Sequence, residues 1–129
     1  VGQRERFSDD LQKSMEKIEK ETEKNDDITL WVCLSYGGRA EIVAAANADT
    51  ENSDIITEDL LSKNMWTAGM PDPDIIIRTG GEKRLSGFLT WQSIYSELFF
   101  IDTFWPDFNK ETFDAILAEF ATRERRNGK

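Results

Sequence analysis

Residues 70–108 read MPDPDIIIRTGGEKRLSGFLTWQSIYSELFFIDTFWPDF, and they hold both the strongest strand signal of the chain and its most concentrated charge. Two prolines precede Asp74, Ile75, Ile76 and Ile77, a β-branched run that predicts a strand from Asp74 to Thr79. The chain then passes at once into Arg78, Thr79, Gly80, Gly81, Glu82, Lys83, Arg84, Leu85 and Ser86. Three cations against one anion make this loop +2 in a chain of net charge -9, so the rest of the molecule stands at -11. A cationic island in so acidic a protein points to an anionic ligand.

A phosphate or diphosphate needs donors from several directions. Paired glycines can turn the backbone with N–H groups facing inward, Arg78 and Arg84 can each offer a planar fork, and Ser86 adds a hydroxyl at an expected helix start. The N-terminus of that helix would favour negative charge further. The competing reading is a plain strand-to-helix turn with glycines for geometry and solvated arginines.

Outward from this loop, periodicity gives the rest. Ser8 can cap a helix carrying Leu11, Met15, Ile18 and Thr22 on one stripe, which ends at Asn25, Asp26 and Asp27. Ile28 to Ser35 is nearly continuous apolar and predicts a strand covered on both faces. Tyr36, Gly37, Gly38 and Arg39 turn it into a helix from Ala40 to Ala48, a loop follows over Asn47 to Asp54, and Thr57 opens a helix whose Leu60, Leu61 and Met65 face inward. A short third strand is expected at Phe99 to Ile101. Trp105, Pro106, Asp107 and Phe108 form a turn before a last helix with Phe113, Ile116, Leu117 and Phe120 on its inner face. Strand, glycine turn and helix recurring twice predict an α/β fold, a parallel sheet flanked by helices, with both loops at the carboxyl ends of the strands. A chain of 129 residues is most simply one domain, yet two or three parallel strands leave exposed edges, so it reads as part of a larger unit.

The segment DPDIIIRTGGEKRLSGFLTWQSIYSELFFIDTFWPDF resembles the cis-prenyltransferase family, the undecaprenyl diphosphate synthases. The resemblance runs upstream through Tyr36, Gly37, Gly38, Arg39, Ala40, Glu41 and Ile42, and downstream through Arg123, Glu124, Arg125 and Arg126. It implies residues 1–129 to be the C-terminal portion of one such domain, without the aspartate-glycine-asparagine-arginine-tryptophan segment that in relatives supplies the catalytic aspartate. It implies condensation of isopentenyl diphosphate onto an allylic diphosphate, typically farnesyl diphosphate, to give undecaprenyl or a similar polyprenyl diphosphate. Arg78, Arg84 and Ser86 are implied to hold the isopentenyl diphosphate, Leu85 to contribute backbone, and Glu97 to bind Mg2+. Gly87 stands where relatives commonly carry Asn, and the link from Ala46 to Thr57 is short for the family.

Glu97 lies among Trp91, Ile94, Tyr95, Leu98, Phe99 and Phe100, where a lone carboxylate is costly without a partner; the alternative is a carboxylate facing water from an amphipathic helix. Tyr36, Arg39 and Glu41 could line a diphosphate pocket, or Arg39 and Glu41 could form an ordinary ion pair. In relatives with such a tail, an arginine-any-glycine pattern, here Arg126 to Gly128, reaches across a homodimer towards the substrate. The same resemblance implies a homodimer for this chain, with the dense aromatics from Phe88 to Phe108 as interface material.

Other chemistries are poorly served. With no histidine, Ser-His and Cys-His nucleophilic sites are excluded within this chain, and the single Cys33 sits in an apolar run as a packed thiol. Neither a GxxxxGK[ST] loop nor an Asp-Asp-x-x-Asp cluster is present. The acidic balance argues against nucleic acid as a partner. No signal peptide or long apolar span is seen, so a cytoplasmic protein is expected, drawn towards membranes by a polyprenyl product. The alternative function is a non-catalytic diphosphate-binding subunit that needs a partner chain for the catalytic aspartate.

Overall fold

The computed structural model describes residues 1–48 and 55–124, in two units, Val1–Gly69 and Met70–Lys129. In the first unit the helices come where periodicity places them. Helix α1 spans Asp9–Thr22, with Ser8 extended before it and the Ser8 carbonyl accepting from Leu11 and Gln12 N–H, both at 3.0 Å. None of its residues is buried, and Leu11 and Ile18 stay exposed. Helix α2 spans Gly38–Asn47, starting two residues earlier than the alanines suggest because Gly37 is already extended and accepts from Glu41 N–H. Helix α3 spans Glu58–Asn64, and its N-cap Thr57 accepts from Leu60 N–H at 3.2 Å. Helices α2 and α3 pack together, with Ala45, Leu61 and Met65 buried.

The expected strand over Ile28 to Ser35 does not form. The segment has no strand hydrogen-bond ladder; Ile28 is 84% exposed and Leu30 83%, and Trp31, Val32 and Leu34 are exposed too. Its partners are at the chain start, where the Val1 ammonium donates to Val32 O at 2.8 Å, Leu34 N–H donates to Val1 O at 2.9 Å and Gln3 N–H to Ser35 O at 3.4 Å. An apolar run coded for cover on both faces needs neighbouring strands, and the described residues supply none.

In the second unit, β1 (Ile75–Arg78) and β2 (Glu97–Phe100) pair in parallel, with Ile75 opposite Glu97 and Arg78 opposite Phe100. Strand β1 falls within the expected Asp74 to Thr79, whereas β2 starts two residues before the expected Phe99 to Ile101 and ends at Phe100. Among the described residues this is a two-stranded sheet. Ile76 and Phe99 are buried, as are Leu89 and Ile116. The pairing extends beyond the strands: Ile101 N–H donates to Arg78 O, Gly81 N–H to Ile101 O and Gly80 N–H to Thr103 O, each at 2.9 Å.

The expected helix start at Ser86 is absent. Residues 86–95 form consecutive turns, and neither an anion-binding helix N-terminus nor an amphipathic helix around Glu97 exists there. Ser86, Gly87 and Leu89 have φ of 52°, 81° and 45°, so three of four residues leave the right-handed region that a helix requires. The repeat of strand, glycine turn and helix is therefore not realised twice. Helix α4 (Lys110–Thr122) follows a 3₁₀ turn at Trp105–Asp107, and Asn109 Oδ1 caps it by accepting from Thr112 N–H at 3.0 Å and from Thr112 Oγ1 at 2.9 Å. Trp105 stacks on Phe108, which meets Phe113 edge-on.

Candidate functional site

The carboxyl end of β1 delivers Arg78 into the loop that follows, and the loop curls back over it. Arg78 Nη1 donates to the Arg84 carbonyl and, at 3.0 Å, to Ser86 Oγ. One guanidinium thus closes the loop on itself, drawing Arg78, Arg84 and Ser86 together across eight residues. Beneath it lies an open cleft of about 260 Å³ lined by Ile76, Ile77, Arg78, Thr79, Leu85 and Phe88. The site has a cationic rim and an apolar floor, at the strand end where parallel α/β layers place ligands.

The two glycines act differently from the sequence expectation. Their N–H groups are spent on Thr103 O and Ile101 O and do not face an anion. Their φ of 86° and 78° are left-handed, and a Cβ on Gly81 would stand 3.3 Å from Asp102 Oδ1. They hold the loop against residues 101–103, the segment that follows β2, and the donors left for a ligand are side chains.

Among the described residues the Arg84 guanidinium pairs with Glu82, in an ion pair whose members are 61% and 49% exposed. Such a pair is worth roughly 0–1 kcal/mol, so a doubly charged ligand can displace the carboxylate at little cost. Lys83 is exposed beside it.

Glu97 is not brought to this loop. It stands opposite Ile75, three residues before the Arg78 register position, so about 10 Å separates it from the loop along the ladder. Its Oε2 accepts from Arg123 Nη1 at 2.7 Å, and Arg123 Nη2 donates to Glu119 Oε1 at 2.6 Å. The guanidinium of Arg123 also lies over the Phe99 ring, 4.0 Å from its centroid. The hydrogen bonds to Glu119 and then Glu97 push Arg123 above its ordinary pKa. Of this cluster, Glu119 and Arg123 are visible as an i, i+4 pair, whereas the bond to Glu97 spans 26 residues and has no local signal.

In the first unit, Glu41 and Arg39 part company. Glu41 is fully buried, its Oε1 accepting from Thr67 N–H at 2.9 Å and Thr67 Oγ1 at 2.7 Å and its Oε2 from the Tyr36 hydroxyl, while Arg39 is exposed. This carboxylate ties the start of α2 to the turn after α3. Arg126 and Gly128, expected to reach a substrate, lie outside the described residues.

The family model of undecaprenyl diphosphate synthases, a prenyltransferase family, matches residues 1–128. The isoprenyl transferase of Neisseria gonorrhoeae is 45% identical over 130 residues, covering 100% of this chain and 52% of that protein. The isoprenyl transferase of Thermus thermophilus is 42% identical over 140 residues, covering 53% of its own length. Among solved structures, one described as a probable undecaprenyl diphosphate synthase from Campylobacter jejuni superposes with a TM-score of 0.91 at 35% identity, covering 100% of this chain and 61% of that chain. A lavandulyl diphosphate synthase from Lavandula x intermedia, in complex with dimethylallyl diphosphate, gives 0.92 at 30% identity and 58% coverage. The chain spans about half the length of the curated relatives it matches. With a +2 loop closed by its own arginine over an apolar cleft, and a family match along residues 1–128, this chain belongs to the undecaprenyl diphosphate synthase family of prenyltransferases.

Proposed function

We propose that this chain carries the isopentenyl diphosphate site of a cis-prenyltransferase, which condenses that substrate onto an allylic diphosphate such as farnesyl diphosphate to give undecaprenyl or a similar polyprenyl diphosphate. The observation that supports this reading is Arg78, which lines a cleft with Ile76, Ile77, Leu85 and Phe88 and whose guanidinium also gathers the Arg84 carbonyl and Ser86 Oγ. A five-carbon alkene carrying a diphosphate has those two halves, one apolar and one strongly anionic. Arg78 and Arg84 would grip the diphosphate oxygens, Ser86 Oγ would offer one more polar contact, and Leu85 would shield the alkene from water. So held, the alkene presents its double bond to the allylic carbon: the new carbon–carbon bond forms, the allylic carbon–oxygen bond breaks with loss of diphosphate, and a proton leaves the isopentenyl unit.

Magnesium is implied for this chemistry, and Glu97, three register positions from Arg78, is the carboxylate that would hold it from the start of β2 while the loop holds the diphosphate. Mg2+ takes one or two carboxylate oxygens and completes its shell with phosphate oxygens and water. The Glu97 side chain is 26% exposed, Arg123 engages its Oε2, and Oε1 accepts no hydrogen bond among the described residues. When bound, the ion would neutralise diphosphate charge that the arginines leave uncompensated. The described residues contain no group of three or more acidic or thiol ligands, so the rest of the shell would come from substrate and water.

Ile94, Tyr95, Phe104 and Trp105 are all more than half exposed, which supports a homodimer built on this aromatic surface. No helix among the described residues is long and apolar enough to cross a membrane, and a cytoplasmic enzyme delivering its polyprenyl product to a membrane surface fits that. A second reading is a diphosphate-binding subunit that works with a partner chain supplying the catalytic aspartate. Calorimetric titration of isopentenyl diphosphate into the chain, with Arg84→Ala beside it, tests both: binding lost in the variant supports the site, and a wild-type chain that does not bind overturns it. Product formed from farnesyl diphosphate by the chain alone would remove the second reading.

A further inference from the structure

Arg123 closes α4, its N–H donating to Phe120 O at 3.1 Å, but its side chain does not turn to the last carbonyls of the helix as a dipole-complementing cation would. It reaches across to β2. Glu97 and Phe99 are two residues apart on that strand and share a face, so one flat guanidinium lies over the Phe99 ring while its edge meets the Glu97 carboxylate. Glu119, one turn back on α4, holds the second nitrogen. With Phe99 buried, and Glu97 and Arg123 only 26% and 31% exposed, this is not a freely solvated surface pair.

We propose that Arg123 is the positioning residue of Glu97, fixing one carboxylate oxygen so that the other is presented to magnesium when diphosphate is bound. The assignment rests on the reading of Glu97 as a magnesium ligand. Charge permits it: Glu97 and Glu119 against Arg123 leave the cluster at net -1, so the guanidinium orients the carboxylate without cancelling its attraction for a cation. Geometry requires an arginine, because lysine has no planar fork to span two carboxylates while stacked on a ring. Entropy gives the reason for the device, since a glutamate at a strand start must otherwise lose its rotamer freedom on binding the metal. A hydrogen bond to the second oxygen of a ligating carboxylate is a common way to orient a metal ligand.

The test is the magnesium concentration that gives half-maximal enhancement of isopentenyl diphosphate binding, read by calorimetry on the full chain. Wild type, Arg123→Ala, Arg123→Lys, Glu119→Gln and Glu97→Ala are compared, with circular dichroism confirming helix content. Arg123→Ala should raise that midpoint about 10-fold, the loss falling in the magnesium-dependent part of the affinity. Arg123→Lys and Glu119→Gln should fall between it and wild type, and they carry the test if the alanine variant does not fold. A midpoint unchanged in Arg123→Ala but raised in Glu97→Ala overturns the positioning role and leaves the magnesium reading standing. A midpoint indifferent to Glu97→Ala, or a wild type that binds no isopentenyl diphosphate, overturns the underlying reading and this assignment with it.

Discussion

Arg78 does two things at once, and its substitution should separate charge from shape. Its guanidinium closes the loop on the Arg84 carbonyl and Ser86 Oγ and also sits on the cleft rim. Arg78→Lys keeps the charge but cannot bridge both acceptors, so isopentenyl diphosphate affinity by calorimetry should fall about 10-fold or more, the worth of a charge-assisted hydrogen bond. Ser86→Ala, which removes a neutral contact, should cost about fivefold. Glu41 is the other residue whose removal is expensive. It is fully buried and accepts from Thr67 N–H, Thr67 Oγ1 and the Tyr36 hydroxyl, so Glu41→Ala takes away the acceptor of three donors and should cost about 3 kcal/mol in urea unfolding. Glu41→Gln keeps one acceptor for Thr67 and should cost about half as much. At this scale the sequence was informative where chemistry is local. Arg78, Arg84, Leu85 and Ser86 fall within nine residues and were legible as a cluster. The two glycines were misread, because a positive φ can be foreseen from Gly-Gly but the partner of each N–H cannot. Arg123 beside Glu97 was invisible, since nothing in a linear reading brings those two positions together.

Among the elements, capping separates the helices. Thr57 and Asn109 each accept a backbone N–H from the first turn of their helix, whereas Ser8 makes no side-chain cap bond despite standing at the same position. Thr57→Ala and Asn109→Ala should each lower stability by about 1 kcal/mol in thermal or urea unfolding, and Ser8→Ala by a few tenths at most. Equal losses in all three would show that residue type, rather than the bond, sets the cap. Periodicity located all four helices, α1 among them although none of its residues is buried, while α2 packs on α3 and β1 pairs with β2. The failures have distinct causes. Residues 86–95 carry apolar spacing compatible with a helix, but the left-handed residues around Gly87 fold them into turns that set Leu85 and Phe88 along the cleft. The run at Ile28 has the composition of an interior strand and none of the neighbours.

For the whole molecule, the exposure of that run predicts an uneven distribution of stability. Amides of residues 28–31 should exchange with solvent rapidly, while Glu97, Ile101 and Gly80, whose N–H groups donate to Asp74, Arg78 and Thr103 at 2.9 Å, should be protected. Hydrogen exchange followed by NMR measures this directly, and protection of residues 28–31 equal to that of the ladder would contradict the described fold. The central claim is that side chains, not glycine amides, make the diphosphate seat. The most direct test is a 15N-edited NMR titration of the chain with isopentenyl diphosphate, observing arginine side-chain and backbone resonances together. The account predicts shifts at the Arg78 and Arg84 guanidinium N–H groups and at the Leu85 and Ser86 amides, with Gly80 and Gly81 amides nearly unmoved; large glycine shifts with silent arginines would contradict it.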